Sequence, residues 1–215
     1  NCQTFNGTAW TEVGNTTEVT SSYGRRGAGT TSAGVVWGGT GAVADSENWD
    51  GTSWAASGNL NTARYTTAAL GIQTAAMAAG GYIDPATADQ SETYNGTSWT
   101  SKNDIQTGRQ GVAGAGTTTA AIIFGGIPNM TASETYDGTS WATTNSLNTG
   151  RDYAMGTGDS VPTALAFGGG PGGKTETEKY DGTSWSEVAD LSTGRADGQE
   201  AGTGKASALC IGGEP

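Results

Sequence analysis

Residues 136–141 read Tyr-Asp-Gly-Thr-Ser-Trp, and closely related phrases occur four more times in the 215-residue chain. The other copies lie at 5–10, 49–54, 94–99 and 180–185. Their tryptophans are Trp10, Trp54, Trp99, Trp141 and Trp185, separated by 44, 45, 42 and 44 residues. A period of this length indicates a chain built from repeated supersecondary units.

Two further signals keep the same period. An arginine follows ten residues after each tryptophan from the second copy onward, at Arg64, Arg109, Arg151 and Arg195. A glycine pair ends a short run of small apolar residues at 38–39, 80–81, 125–126, 168–169 and 212–213, and another glycine follows each arginine by seven residues. In the first repeat, that spacing puts Ser22 in the position of the arginine.

Each period contains the signals of four short strands. We predict one strand from Arg109 to Gly116 and the next over residues 120–124, ended by the glycine pair. Asp-Gly after Tyr136 predicts a two-residue type I′ hairpin, because that turn needs positive φ at both central residues. Four strands in a unit of roughly 43 residues, present five times, predict an all-β, five-bladed β-propeller with four-stranded antiparallel blades.

The two ends of the chain carry complementary halves of a repeat. Residues 1–17 hold an aromatic hairpin, and residues 194–215 hold an arginine and a glycine pair. An open propeller leaves two sheet faces unburied, so we expect the N-terminal strands to join the C-terminal blade and close the ring. The chain is then one domain, 1–215, with blades at about 18–62, 63–107, 108–149, 150–193, and 194–215 plus 1–17.

Composition excludes several classes of function. Only ten residues are Lys or Arg against 21 Asp or Glu, so the net charge of −11 gives no footprint for nucleic acid. No window of 18 apolar residues exists, which argues against membrane insertion. The chain has no histidine, so imidazole metal sites and Ser-His triads are excluded, and we predict no metal and no cofactor.

The phrases resemble the Kelch repeat, in which a glycine pair ends the second strand, a Tyr and a Trp follow, and an Arg leads into the next blade. The resemblance covers the whole chain in five copies and implies a propeller. The wording is also similar to that of Kelch-like proteins of marine bacteriophages, which implies a virion or tail location. Five blades, Asp-Gly in place of Asp-Pro, and Ser22 in the arginine column depart from the family pattern.

The two cysteines lie in different columns of the repeat. Cys2 takes the position of Ser46, Ser91, Ser133 and Thr177, and Cys210 takes the position of Val36, Ala78, Ile123 and Ala166. Those columns lie on neighbouring strands, so we predict a Cys2–Cys210 disulfide that closes the ring and indicates an oxidising compartment. The alternative is two buried thiols.

An acidic column runs beside the arginine column. It consists of Glu47, Glu92, Glu134 and Glu178, with Gln3 in the closing blade. One interpretation is a charged ring that binds an anion. We favour internal Arg–Glu pairing between strands of adjacent blades, because a residue present in every repeat usually serves the scaffold. The five tryptophans are assigned a structural role for the same reason.

Residues that break the repeat are the better candidates for binding. Arg25, Arg26, Asp152, Asp197 and Glu200 each occur in only one repeat, on or beside the innermost strand. They indicate either a small polar pocket at the central channel or a locally paired set of charges. Strand alternation predicts that Asp197 and Glu200 point to opposite faces.

The loops after the glycine pairs differ most between repeats, and variable loops on a rigid scaffold commonly carry binding. Candidate residues there are Tyr82, Asp84, Asp89, Asn129, Met130 and Lys174. A neutral, solvated set of loops is the alternative. Sequons occur at Asn6, Asn15, Asn95 and Asn129, and they matter only in a eukaryotic host.

These observations predict a non-catalytic, extracellular or virion-associated binding module. Its partner would be a glycan or a surface protein, recognised through the variable-loop face. The first alternative is a structural fibre, appendage or decoration unit that packs on copies of itself or on other virion proteins. The second is a glycan-active hydrolase that uses Asp152, Asp197 and Glu200.

Overall fold

A computed structural model describes residues 2–17, 23–41 and 43–215. Strands β1 (Cys2–Phe5) and β2 (Trp10–Val13) form an N-terminal hairpin. Sheet 1 contains β3 (Arg26–Gly29), β4 (Gly34–Trp37), β5 (Ser46–Trp49) and β6 (Trp54–Ala56). Sheet 2 begins with β7 (Ala68–Ile72) and β8 (Ala75–Ala79), continues past a small hairpin of β9 (Tyr82–Ile83) and β10 (Ala86–Thr87), and ends with β11 (Ser91–Tyr94) and β12 (Trp99–Lys102).

Sheets 3 and 4 follow the same plan. Sheet 3 contains β13 (Ala113–Gly116), β14 (Ala121–Phe124), β15 (Ser133–Tyr136) and β16 (Trp141–Thr144). Sheet 4 contains β17 (Met155–Thr157), a 3₁₀ turn at Val161–Thr163, β18 (Leu165–Phe167), β19 (Thr177–Tyr180) and β20 (Trp185–Glu187). Strands β21 (Gln199–Gly204) and β22 (Ser207–Ile211) form a C-terminal hairpin.

All four sheets are antiparallel, and their strands lie side by side in chain order. The prediction of an all-β chain made of four-stranded antiparallel units is therefore confirmed, and the sheets resemble propeller blades. The first strand is shorter than predicted. Residues 109–112 precede β13 as irregular chain, in which Gly111 has a left-handed φ of 61° and donates its N–H to the Thr66 carbonyl of the preceding repeat.

The Asp-Gly turn differs from the prediction. Tyr136 pairs directly with Trp141, so the loop has four residues, and only Gly138 among them has positive φ, at 96°. The Asp137 carboxylate accepts the amide N–H groups of Thr139 and Ser140, both at 2.8 Å. This side-chain turn replaces the second left-handed residue that a type I′ turn requires.

The core lies between neighbouring sheets. In sheet 3, Ile122, Ile123 and Phe124 are fully buried, packed against sheet 4 on one face and sheet 2 on the other. Trp141 lies against Tyr136 with ring centroids 5.0 Å apart and donates its indole N–H to Ser91 of sheet 2 at 3.2 Å. Trp99 and Trp185 make the same bond to the serine of the preceding sheet, at 3.0 and 3.1 Å. The repeated phrase therefore joins each sheet to the one before it.

The arginine and glutamate columns meet inside single repeats. Buried ion pairs join Arg64 to Glu92, Arg109 to Glu134, and Arg151 to Glu178, the last at 2.6 Å. Each pair therefore ties the chain leading into the first strand to the third strand of the same sheet, and not to an adjacent blade. The carboxylates also accept backbone N–H groups from the preceding connection, from Asn61, Gln106 and Asn148.

Sheet 1 obtains its cation from another position. Ser22 lies outside the described residues. Arg25, which we had grouped with the binding candidates, reaches Glu47 with 3.8 Å between Nη2 and Oε1, and its side chain is only 13% exposed. Burial lowers the pKa of Arg25, and the Glu47 charge opposes that shift. We therefore read Arg25 as a structural partner of Glu47.

The predicted disulfide is wrong. Both cysteines are free thiols, and the Cys210 thiol donates to the Met155 sulfur at 3.2 Å. The cysteines lie on hairpins that form separate two-stranded sheets, and the register of the other sheets would keep the thiols apart even if β1 and β22 paired. In the four sheets, the column of Cys210 faces the glutamate column, as in Ile123 opposite Glu134, so its counterpart is Gln3 and not Cys2. A shift of one position points the two thiols to opposite faces of a sheet.

The two terminal hairpins form separate two-stranded sheets. Within the described ranges, no ladder joins β1 to β22. Several large apolar side chains of the hairpins are exposed, including Phe5, Trp10, Leu209 and Ile211. An apolar cavity of about 460 Å³ lies between the N-terminal hairpin and sheet 1, and it also touches Ala201 of β21.

Candidate functional site

A backbone link joins the repeats at the N-terminal ends of the first strands. Equivalent residues there have left-handed φ values: Gly24, Thr66, Gly111, Tyr153 and Asp197, between 45° and 71°. The N–H of each residue from Thr66 onward donates to the carbonyl of its counterpart in the preceding repeat, at 2.8 to 3.2 Å. Non-glycine residues pay roughly 1–3 kcal/mol for such a conformation, and it persists where surrounding structure enforces it, often at functional sites.

Tyrosines gather around this link. The Tyr153 ring lies over Gly111. Tyr65 covers Gly24 and meets Tyr82 edge to face, with ring centroids 5.4 Å apart. Burial raises the pKa of Tyr153, and the Tyr23 side chain adds to the shift, although the two residues belong to the fourth and first repeats. We call Tyr23, Tyr65, Tyr82 and Tyr153 the tyrosine cluster.

Charged groups border the tyrosine cluster. Arg26 lies 3.9 Å from Asp197, and both line a small cavity with Tyr153 and Glu200. Burial raises the pKa of Asp197, Arg26 opposes that shift, and Glu214 adds to it. Asp197 and Glu200 therefore border the same cavity. Asp197 precedes β21 in a left-handed conformation, so strand alternation does not apply to it.

Glu200 is the most perturbed carboxyl group in the cavity. Burial of the carboxyl group by the surrounding protein raises its pKa to about 7, and the Arg26 charge and the backbone N–H of Gly156 oppose this shift. The side chain nevertheless keeps solvent access, because it faces a cavity and not the packed core. Its charge state therefore changes near neutral pH, unlike that of an ordinary glutamate.

The loop candidates divide into two groups. Asp84 follows Tyr82 in the sequence, and its charge reaches Tyr65. Lys174 lies near Asp152, whose pKa is raised by burial and lowered by the Lys174 charge. These loop residues and Asp152 lie on or beside the tyrosine cluster, at the ends of β7 and β17.

The remaining loop candidates bond within their own turns and, through backbone carbonyls, to the connection before the next sheet: Asp89 accepts the Ile105 N–H at 2.8 Å, and Met130 accepts the Arg151 N–H at 3.1 Å. Asp89 accepts a bond from the Gln90 amide at 2.7 Å. Asn129 is exposed with a left-handed φ of 55°, and the Met130 N–H donates to Gly126 at 2.8 Å. Structure gives these three residues a turn-forming role.

Sequence reasoning missed three of the four tyrosines. Tyr65 and Tyr153 stand one and two residues after the repeated arginines, where the other repeats have unrelated side chains. Comparing these two columns between repeats would have singled them out. Tyr23 stands one residue after Ser22, in the same column as Tyr65, so the same comparison would have found it.

A second cavity lies at the opposite, C-terminal ends of the first strands. It has a volume of about 420 Å³, and β3, β7, β13, β17 and β21 all line it. Glu200 borders both this cavity and the small one beside Asp197. We call it the five-strand cavity.

Metal and membrane signals are absent from the described residues. Within them, no group of three or more His, Cys, Asp or Glu side chains is placed to hold a metal ion. The described segments also contain no helix with the length and hydropathy of a membrane span.

No protein-family model matches the chain, and a search of curated proteins finds no match.

Proposed function

We propose that the chain is a five-bladed Kelch-like β-propeller, closed when β1 pairs with β22 in a blade made of both chain ends. Three observations support this proposal. The first strands of four sheets and β21 line one cavity. The Trp54 indole N–H is buried and unpaired in the described chain, and the column of its expected acceptor is occupied by Cys2. Exposed apolar side chains on both hairpins would be covered by closure.

We further propose that this propeller is a non-catalytic binding module for a glycan, at an extracellular or virion surface. The observation that carries the proposal is the tyrosine cluster. It combines aromatic faces with nearby carboxylates, and residues from the first, second and fourth repeats build it. Tyrosine rings offer an apolar face and a hydroxyl together, which suits the alternating CH and OH groups of a sugar. The extracellular or virion location rests on the phrase resemblance.

The proposal is tested by presenting the soluble, monomeric protein to a glycan array and to surface proteins. We expect Tyr23→Ala and Tyr82→Ala each to weaken binding about tenfold, the loss typical of one aromatic contact. The matched control is Thr100→Ala, since Thr100 is exposed on the outer strand β12, away from the tyrosine cluster and from both cavities. Binding that survives both tyrosine variants would overturn the proposed site.

The exposed apolar residues of the terminal hairpins favour a second candidate, a structural unit that packs on copies of itself. Leu209 is 58% exposed and Trp10 is 60% exposed, which is unusual for residues of this size. This candidate predicts concentration-dependent assembly and no affinity for any glycan. Analytical ultracentrifugation beside the array separates it from the binding module.

A third candidate, a glycan hydrolase, is favoured by the cavity that Asp197 and Glu200 share. A carboxyl group with a pKa near 7 can donate a proton at neutral pH, as a general acid must. Hydrolysis of an array glycan that disappears in Glu200→Gln would support this candidate against the non-catalytic module.

A further inference from the structure

The five-strand cavity lies away from the tyrosine cluster and has walls made mostly of backbone. Eight glycines and four alanines are among its 18 lining residues. A volume of about 420 Å³ falls within the range of small-molecule sites. The glycines let the first strands approach their neighbours closely: a Cβ at Gly114 would lie 2.8 Å from Leu70, and one at Gly156 would lie 3.0 Å from the Gly114 backbone.

The walls offer hydrogen-bonding groups. In each four-stranded sheet the first strand is an edge strand, so one side of its backbone has no ladder partner in that sheet. Some of these groups bond between repeats: the Gly116 N–H donates to Gly158 at 2.9 Å, and the Thr157 hydroxyl donates to Gly202 at 2.7 Å. The rest of the edge faces the cavity, where a hydroxylated ligand could bind it.

The cavity carries only negative charge. Glu200 stands at one end, in a column that holds Gly27, Ala69, Gly114 and Gly156 in the other repeats. Asp159 stands near the other end, just after the repeated glycine Gly158. The positions of Glu200 and Asp159 in the repeat differ by three residues, which corresponds to about 10 Å along a strand. Arg26 faces Glu200 from the neighbouring small cavity, where Asp197 is its ion-pair partner.

We propose that the five-strand cavity binds a small hydroxylated amine, with the ammonium group on Glu200 and the hydroxyl groups on the strand edges. A carboxylate at the end of a polar, glycine-walled cavity with no lining cation selects a cationic ligand. The other four repeats have glycine or alanine at the position of Glu200, so Glu200 is the one residue of this column with a charged side chain. This inference does not depend on the tyrosine cluster.

The test compares three hexitol-based probes in phosphate buffer at pH 8 by calorimetry with the full chain. Glucamine carries an ammonium group, sorbitol is its neutral counterpart, and gluconate is its anionic counterpart. We expect glucamine to bind at least about tenfold more tightly than sorbitol, the selectivity typical of one charge-assisted hydrogen bond, and gluconate to be rejected. Equal affinity for glucamine and sorbitol, or no glucamine binding, would overturn the proposal.

Two variants locate the site. Glu200→Gln should abolish the preference for glucamine over sorbitol, and Glu200→Ala should do the same while restoring the residue found at Ala69. Circular dichroism checks that both remain folded. Glu187→Gln on the outer strand β20 is the matched control, because it removes the same charge from an exposed site outside both cavities, and it should leave glucamine affinity unchanged. A glucamine preference that survives both Glu200 variants contradicts the assignment.

The same site should be pH-dependent. Two groups lie against Glu200: the Arg26 guanidinium of β3 and the Cys210 thiol, its ladder partner on β22. Asp159 and Asp197 border the same two cavities farther away. Glucamine affinity should fall several-fold between pH 8 and pH 6 as Glu200 takes up a proton, and Glu200→Ala, which keeps these other groups, should remove the change. A pH dependence that persists in Glu200→Ala would assign the titration elsewhere and overturn this account.

Discussion

Sheet 3 and the N-terminal hairpin contain the same phrase in different surroundings. Tyr136 and Trp141 pair across their hairpin with rings 5.0 Å apart and inclined by 37°. Phe5 and Trp10 pair in the same register with rings 5.2 Å apart and inclined by 38°. Trp141 is 3% exposed, however, and Trp10 is 60% exposed. The repeated phrase therefore specifies the hairpin, whereas the tryptophan is buried only where a neighbouring sheet packs against it.

The repeat alignment identifies the residue that would contact Trp10 in a closed propeller. Trp141 donates to Ser91 of the sheet before it, and the equivalent acceptor for Trp10 is Thr177 of sheet 4. In the same way, Arg195 has Gln3 where the other repeats have glutamate, and its guanidinium donates to the Gly212 carbonyl at 2.8 Å. The terminal repeat is therefore built for a weaker attachment than the internal ones.

The largest effect should come from a disulfide that joins β1 to β22 in the register seen between the second and third strands of the four sheets. A Cys2→Ser, Gln3→Cys variant puts a thiol at the position expected to face Cys210, whereas the native pair is offset by one residue. We expect the variant to form an internal disulfide that stabilises the fold by up to about 5 kcal/mol, since the closed loop spans nearly the whole chain. Non-reducing mass spectrometry and denaturant unfolding measure both results.

The native chain under the same oxidant is the control and should stay reduced within each molecule. An internal disulfide in the native chain, or a disulfide only between two molecules of the variant, would refute closure in this register.

The second effect contrasts two arginines of the same column. Arg109→Met leaves the buried Glu134 carboxylate without its cation and should cost about 3–5 kcal/mol in urea unfolding. Arg195→Met removes one bond to a carbonyl in an exposed hairpin and should cost less than about 1 kcal/mol. Equal losses would show that the terminal arginine is as buried as the internal one. Glu134→Gln with Arg109→Met should recover part of the larger loss.

The smallest effect concerns the turn that all five copies share. In Asp50, Asp137 and Asp181, backbone N–H bonds lower the pKa of the carboxyl group below 3.8, while Asn6 and Asn95 make the same bonds without a charge. A lowered folded-state pKa stabilises the protein above the unfolded-state value, and that stability is lost as the pH falls through the folded-state value.

Replacing all three aspartates by asparagine should therefore flatten the melting temperature between pH 5 and pH 2, relative to the native chain. Thermal unfolding across this range tests the expectation. A native acid dependence that the triple variant retains in full would place its origin in other carboxyl groups, such as the buried glutamates.

Much of the fold follows from the repeat. The period, the aromatic phrase and the glycine pairs each mark a strand boundary, so the four-stranded sheets could be predicted without structure. The geometry of the Asp-Gly turn could not be predicted. The same residues are compatible with a type I′ turn, but the Asp137 carboxylate accepts two backbone N–H groups and stabilises a four-residue loop. The predicted disulfide was wrong because it was based only on the two cysteines lying on neighbouring strands. The pairing register decides whether their side chains point to the same face of the sheet.

Less of the candidate site could be predicted. The rule that functional residues break the repeat identified Arg26, Asp152, Asp197 and Glu200, yet it also selected Arg25, which replaces a missing cation beside Glu47. A departure from the repeat can thus be compensation as well as function. The tyrosine cluster depends on contacts between distant repeats, such as Tyr23 with Tyr153, and spacing along the chain does not encode these.

The left-handed positions that link the repeats make this surface open to redesign. Their bonds run from backbone to backbone, so exchanging Thr66, Tyr153 or Asp197 changes what the protein presents while the link between neighbouring units remains. Glycine, asparagine and aspartate tolerate this conformation best. A library varied at these positions would therefore sample new recognition chemistries on an unchanged frame.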